Sequence, residues 1–358
     1  MKKLILLVFP FFFMTTFGQV KREITEVQTI DALRTIAASK GDVAMVIDTL
    51  RGGMFIYDPT INVYDNGLKF PAKNNTGGWK RQRNVDDEVH VRWYGAKFDN
   101  RTDDAASIQA AINSGFIVKF PNASKALIKS PLIINRDNIR IFGNNITLTY
   151  TGEGYAIKMV PKKNFLINLY IESVSVRVRA ENAKGFLVQC SRSRLQNCRV
   201  TLEGNGQVGF ELAGDKNGTG SYHNSFDNCF VQGYRHNGKV KTTGWLFTHD
   251  ATFPSRGPNA NKWVGGRVGQ CEVGMYIQGG GNVITGMTAE GCGTGFIFEN
   301  KDSKNGCNGN QVIAPYLEIT HRPFLFSVNS RQSYVSKPII TGQKIKELNF
   351  TNGNKIDY

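Results

Sequence analysis

A chain of 358 residues, 41% of them hydrophobic, is long enough for a large core, as one elongated domain or as two. Its formal charge of +15 fits either an ordinary basic soluble surface or a polyanionic partner, acidic polysaccharide or an anionic envelope surface. Lys and Arg are dispersed rather than run together and the chain reads as exported, so no nucleic-acid partner is expected. Six cysteines without a Cys-x-x-Cys motif exclude a disulfide mini-scaffold and a zinc ribbon.

Residues 1–18 carry two lysines, an apolar run too short to span a bilayer and a small-residue exit, which is the pattern of a secretory signal peptide. The expectation is an exported protein, secreted, periplasmic or held at the cell surface, with no later membrane span. Residues 19–90 form an N-terminal region, and residues 91–358 the main domain. At its start, "WYGAKFDNRTDDAASIQAAINSG" (93–115) joins a glycine turn, three aspartates and a short amphipathic run. Thr102 reads as a helix N-cap, with Asp103 and Asp104 in the first turn complementing the dipole. Ala105, Ile108, Ala111 and Ile112 give that helix an apolar face. The acid cluster therefore reads as a helix start and not as a metal or catalytic site. Beyond about residue 115 no helical period appears, and 38 glycines against 11 prolines indicate short strands and many tight turns.

A phrase of glycine followed by alternating bulky residues recurs as "GFLV" at 185, "GFEL" at 209, "GWLF" at 244, "GMYI" at 274 and "GFIF" at 295. A second phrase opens with Asn224, Asn261, Asn282 and Asn310, with Ser193 in the same place one unit earlier and Asn164 before it. Irregular spacing above a minimum of about 21 residues predicts a solenoid whose loops enter at the bends. Stacked turns would set the asparagines in a hydrogen-bonded ladder. The expected fold is therefore all-β: a right-handed parallel β-helix with a short N-terminal capping helix. Counting from each asparagine, positions two, five and seven are apolar and face inward. Cys198 with Cys229, and Cys271 with Cys292, share columns as buried thiols.

The 93–115 stretch resembles the start of the pectate-lyase-like β-helix superfamily, which includes rhamnogalacturonase/epimerase-like proteins and phage tailspike depolymerases. Gly95, Ala96, Asp99, Thr102, Asp103, Asp104, Ile108, Gln109, Ala111 and Ile112 match, while Phe98 stands where a glycine is usual. "GDVAMVIDTLRGGMFIYDP" and the later "GGWKRQ" also resemble tailspike-type chains. The resemblance implies action on polysaccharide and, because such relatives are often trimers, a homotrimer. The polygalacturonase and pectate-lyase catalytic sets are absent, so no family residue is carried over.

Candidate chemistry comes from the outward columns. Position six reads Tyr170, Arg199, Phe230, Arg267, Thr288 and Tyr316; position eight reads Glu172, Thr201, Gln232, Gly269, Glu290 and Glu318. Aromatic faces and guanidinium groups suit sugar rings and uronates. Glu290 and Glu318 on successive turns suit an acid and a base or nucleophile, with one pKa raised. Two loops, 213–224 and 248–261, bring Asp215, Tyr222, His223, His249, Asp250 and Arg256 together. They offer a base and a cation for uronate proton abstraction. "ENKDSKNGCNGN" (299–310) has oxygens suited to calcium but no EF-hand spacing, so no metal ligand is assigned. A further outward column, Leu187, Glu211, Leu246, Tyr276, Ile297 and Leu325, fits loop cover or a subunit interface. Two functional readings stay open. One is an enzyme cleaving anionic polysaccharide by lyase or glycosidase chemistry, or its epimerase cousin. The other is a non-catalytic glycan-binding or surface module.

Overall fold

The computed structural model describes residues 24–73, 76–84, 87–162, 165–214, 220–234, 240–248, 257–299, 307–342 and 353–358. The first of these segments build a five-stranded sheet from Ile24–Val27, Val43–Val46, Gly53–Asp58, Lys69–Pro71 and Gly78–Arg81, with helix α1 (Ile30–Arg34) against it. Phe55, Phe70 and Trp79 close its own core. Arg81, only 3% exposed, ties this sheet to Trp93 at the start of the coils. Its guanidinium lies 4.5 Å from the Phe55 ring and 4.7 Å from the Trp93 ring, and donates to the carbonyls of Gly52, Arg51 and Gly67. Burial, with Arg51 nearby, lowers its pKa to about 10.

From Glu88 onward the chain winds into parallel coils. Residues alternate inward and outward along each strand, and the inward set is continuously apolar, so successive coils can only stack. One face is an eight-stranded parallel sheet from Leu132–Ile134 to Arg322–Phe326. A bend comes after each of its strands; from Lys184–Val188 onward two short strands then build a second and a third sheet, while in the two coils before it Arg140–Tyr150 and Tyr170–Val178 each run through as one strand. In one coil these are Arg194–Gln196 and Arg199–Leu202; in another, Val283–Thr285 and Thr288–Glu290. Inside, Phe186, Phe210 and Trp245 stack at 4.8 and 4.1 Å, and Phe226 stacks on Trp263 at 4.8 Å. All six cysteines are buried thiols.

The ladder exists as the sequence predicts. Asn261 Oδ1 accepts from the backbone N and Nδ2 of Asn224, Asn282 Oδ1 from those of Asn261, and Asn310 Oδ1 from those of Asn282, all at 2.9–3.1 Å. Ser193 N donates to Asn224 at one end. One coil departs from the expected register. Tyr170, Ile171 and Glu172 pair with Arg194, Leu195 and Gln196, so Leu169 holds the ladder position there instead of Asn164, which lies outside the described residues. Ser175 and Arg177 stand beside Arg199 and Thr201, where Tyr170 and Glu172 were expected. The reason is that Tyr170–Val178 runs through the bend as one strand, and Ser193 Oγ replaces the missing amide by accepting from Leu169 N at 3.0 Å.

The capping helix α2 runs Ala105–Ser114 and buries Ala105, Ile108, Ala111 and Ile112 against the end of the coil. Thr102 is not its cap. Asp104 occupies the cap position without a capping bond, because its carboxylate accepts from Lys97 N and Phe98 N and so fastens the preceding turn. Asp99 accepts from Arg101 N and Thr102 N, and Asp103 from Ala105 N and Lys129 N. All three aspartates thus serve turns that enter the helix. Phe98 has φ +56°, the left-handed conformation that explains a glycine at this place in similar chains.

Candidate functional site

Three outward features gather chemistry. The first is the third sheet. Register places Arg199, Phe230, Arg267, Thr288 and Tyr316 in one column, and Thr201, Gln232, Gly269, Glu290 and Glu318 in another. Strand alternation forces these side chains outward, because Val200, Val231, Val268, Ala289 and Leu317 between the two columns are buried. The Arg199 guanidinium lies 4.9 Å from the centre of the Phe230 ring. Glu290 and Glu318 are direct register partners on adjacent coils. Arg267 Nη2, one coil earlier, lies 2.7 Å from Glu290 Oε2. Glu290 therefore has a cation on one side and a carboxylate on the other.

The second is a groove of about 380 Å³ at the bend after the eight-stranded sheet, lined by Phe165, Ile167, Ser191, Arg192, Tyr222 and His223. Parallel bridges between Ile167 and Ser191 and between Tyr222 and Asn259 build it from neighbouring coils. Tyr222 and His223, singled out from the sequence, stand here. Asp215, His249, Asp250 and Arg256 lie outside the described residues, as do residues 300–306 of the calcium-suited loop. Among the described residues no group of three or more His, Cys, Asp or Glu is placed to hold a metal.

The third was missed as chemistry. In the outward column of the eight-stranded sheet, Glu211 is register partner to Leu187 and Leu246 and is only 6% exposed. Lys184 Nζ sits 2.7 Å and Tyr155 Oη 2.9 Å from its Oε2, and Thr248 Oγ1 donates to Oε1 at 2.8 Å. Four strands thus converge on one carboxylate. Burial, reinforced by the Glu211 charge, raises the Tyr155 pKa far above the usual phenol range, so it stays a neutral donor. The signal was visible as a lone charge in an apolar column. Leu246, Tyr276, Ile297 and Leu325 of that column are half-buried.

Closed stacked coils with an apolar interior and an N-terminal helical plug define the class: a right-handed parallel β-helix. The gp42 tailspike of Acinetobacter phage vb_AbaP_AS12 superposes with a TM-score of 0.61 at 14% identity, over 88% of this chain and 56% of that one. WceF of Pantoea stewartii is described as a glycan biofilm modifying enzyme with a bacteriophage tailspike-like parallel β-helix fold. It gives 0.60 at 14% identity, over 94% and 52%. The enzymatically active domain of tailspike protein 4 from bacteriophage CBA120 gives 0.51 at 13%, over 87% and 48%. The chain spans about half the length of these structures, and the likeness is one of fold. No family model and no curated protein sequence matches it.

Proposed function

We propose that the protein is an exported carbohydrate-active enzyme that cleaves an anionic polysaccharide on the outer face of its third sheet. The arrangement of Arg267, Glu290 and Glu318 beside the column of Arg199, Phe230 and Tyr316 carries the reading. Adjacent parallel strands are about 4.8 Å apart. A sugar chain laid across two coils therefore meets both carboxylates, one to give a proton and the other to act as base or nucleophile. Arg267 adds positive charge where a uronate carboxylate needs neutralising, as lyase chemistry requires. The descriptions of WceF as glycan-modifying and of the CBA120 domain as enzymatically active support the same direction.

The test is incubation with a panel of acidic glycans. New ultraviolet absorbance from an unsaturated uronate identifies a lyase, and new reducing ends without it a glycosidase. Glu290→Gln and Glu318→Gln should each slow the reaction roughly 100-fold or more; full activity in both overturns the assignment. One observation favours a second reading, a non-catalytic glycan-binding module: Glu290 already has an ionic partner in Arg267. That reading predicts retained glycan binding with neither product.

A further inference from the structure

In every described coil from residue 168 onward, the residue just before the ladder position takes a left-handed backbone. These are Asn168, Arg192, His223, Ala260, Gly281, Gly309, Gln332 and Gly353, with φ between +50° and +74°. Glycine adopts this conformation without a steric cost, whereas a residue with a β-carbon is strained there. Glycine serves three of these bends, and Asn168, Ala260 and Gln332 hold one each. At Arg192 and His223, on consecutive coils, the chain instead keeps two large basic side chains. The backbone is pinned in place, since Arg192 N donates to Tyr222 O at 2.9 Å and His223 N to Asn259 O at 3.3 Å. Both side chains line the 380 Å³ groove, which is within the usual size of small-ligand sites. Phe165, left 61% exposed, and Ile167 line the same groove, with Tyr222 next to His223 in the chain. Such a site holds aromatic and aliphatic walls for a ring, and two donors for an acid group.

We infer that this groove is a binding subsite for an acidic sugar unit, in which Arg192 and His223 bind the carboxylate and Phe165 and Tyr222 hold the ring. The inference rests on the glycan reading above and adds a subsite at the bend to the face of the third sheet. Asn168 and Gln332 hold the same left-handed bend outside the groove, so it is the shared groove lining of Arg192 and His223, and not the backbone conformation, that marks the subsite. Replacing either residue with glycine should relieve the backbone while removing the ligand contact.

Isothermal titration of the full chain with tri-galacturonate, and with maltotriose as the neutral control, tests this. The wild-type protein should bind the acidic trisaccharide at least tenfold more tightly than maltotriose. Arg192→Gly, His223→Gly and Phe165→Ala should each weaken that binding at least tenfold, and the two glycine variants should show unchanged or higher thermal midpoints. Wild-type binding that does not discriminate the two sugars, undiminished binding in both glycine variants, or a clear fall in both midpoints overturns the proposal. Product formation from long glycans is scored separately in the same variants, so loss of the groove assignment leaves the reaction on the third sheet to be judged by Glu290 and Glu318.

Discussion

At the scale of single residues, Glu211 is the position where physical cost and arrangement are most closely matched. A carboxylate this buried is tolerated only when paired and hydrogen-bonded, and Lys184, Tyr155 and Thr248 do both. Removing one partner of a fully buried pair costs roughly 3–5 kcal/mol. Lys184 keeps 28% side-chain exposure, so Lys184→Ala should fall at the low end of that range, read by urea denaturation. The double replacement Lys184→Met with Glu211→Leu should recover most of the loss, since the column around Glu211 is otherwise apolar. An equal loss in single and double variants would show that the ion pair is not the cause. Glu211 itself was legible as an outlier in its column. Its partners were not, because Tyr155 and Lys184 lie 56 and 27 residues away along the chain, and only coil register brings them back. Thr102 and Asp104 show the opposite failure. A helix start was legible, yet the capping role went unfilled because Asp104 serves the turn before the helix.

At the scale of the element, the unit is one coil, and the asparagine ladder couples each coil to the next. The internal asparagines are almost fully buried, and each accepts two bonds from its neighbour. Asn282→Ala strips Asn261 N and Nδ2 of their acceptor, and each buried donor left unsatisfied costs about 1–3 kcal/mol. The variant should unfold at clearly lower denaturant concentration. Ser193→Ala, at the ladder end where Ser193 Oγ accepts from Leu169 N, should cost less. Equal effects would mean that the rungs are not additive neighbours as a solenoid requires. Side-chain direction was legible wherever an asparagine marked the bend. It failed at Tyr170–Val178, where the strand continues through the bend and periodicity alone cannot tell which residue faces Ser193.

At the scale of the whole molecule, the charge of +15 belongs to long-range attraction rather than to any single contact. Binding to acidic polysaccharide should therefore weaken as ionic strength rises from ~0.01 M to ~0.15 M, where screening shortens from about 30 Å to about 8 Å. Retention on an immobilised acidic glycan, measured across that range, checks it; salt-independent retention would remove charge as the basis of recognition. The half-buried stripe of Leu246, Tyr276, Ile297 and Leu325 supports a proposed homotrimer, for which a sedimentation profile of pure monomer at micromolar concentration is the opposing result.

The sequence by itself determined the solenoid. Its inward columns, ladder asparagines and apolar plug are local patterns repeated coil after coil, and the repetition fixes how they stack. The sequence also placed the outward columns of the third sheet, Glu290 beside Glu318 among them, but tertiary structure alone decided which groups meet across columns and at the bends. The Arg267–Glu290 pair, the Glu211 cluster and the groove of Phe165, Arg192 and His223 each join residues from different coils, separated by loops of unequal length. Spacing outside the asparagine-led phrases carries no record of that adjacency, because a loop inserted at a bend shifts the numbering without moving the strands.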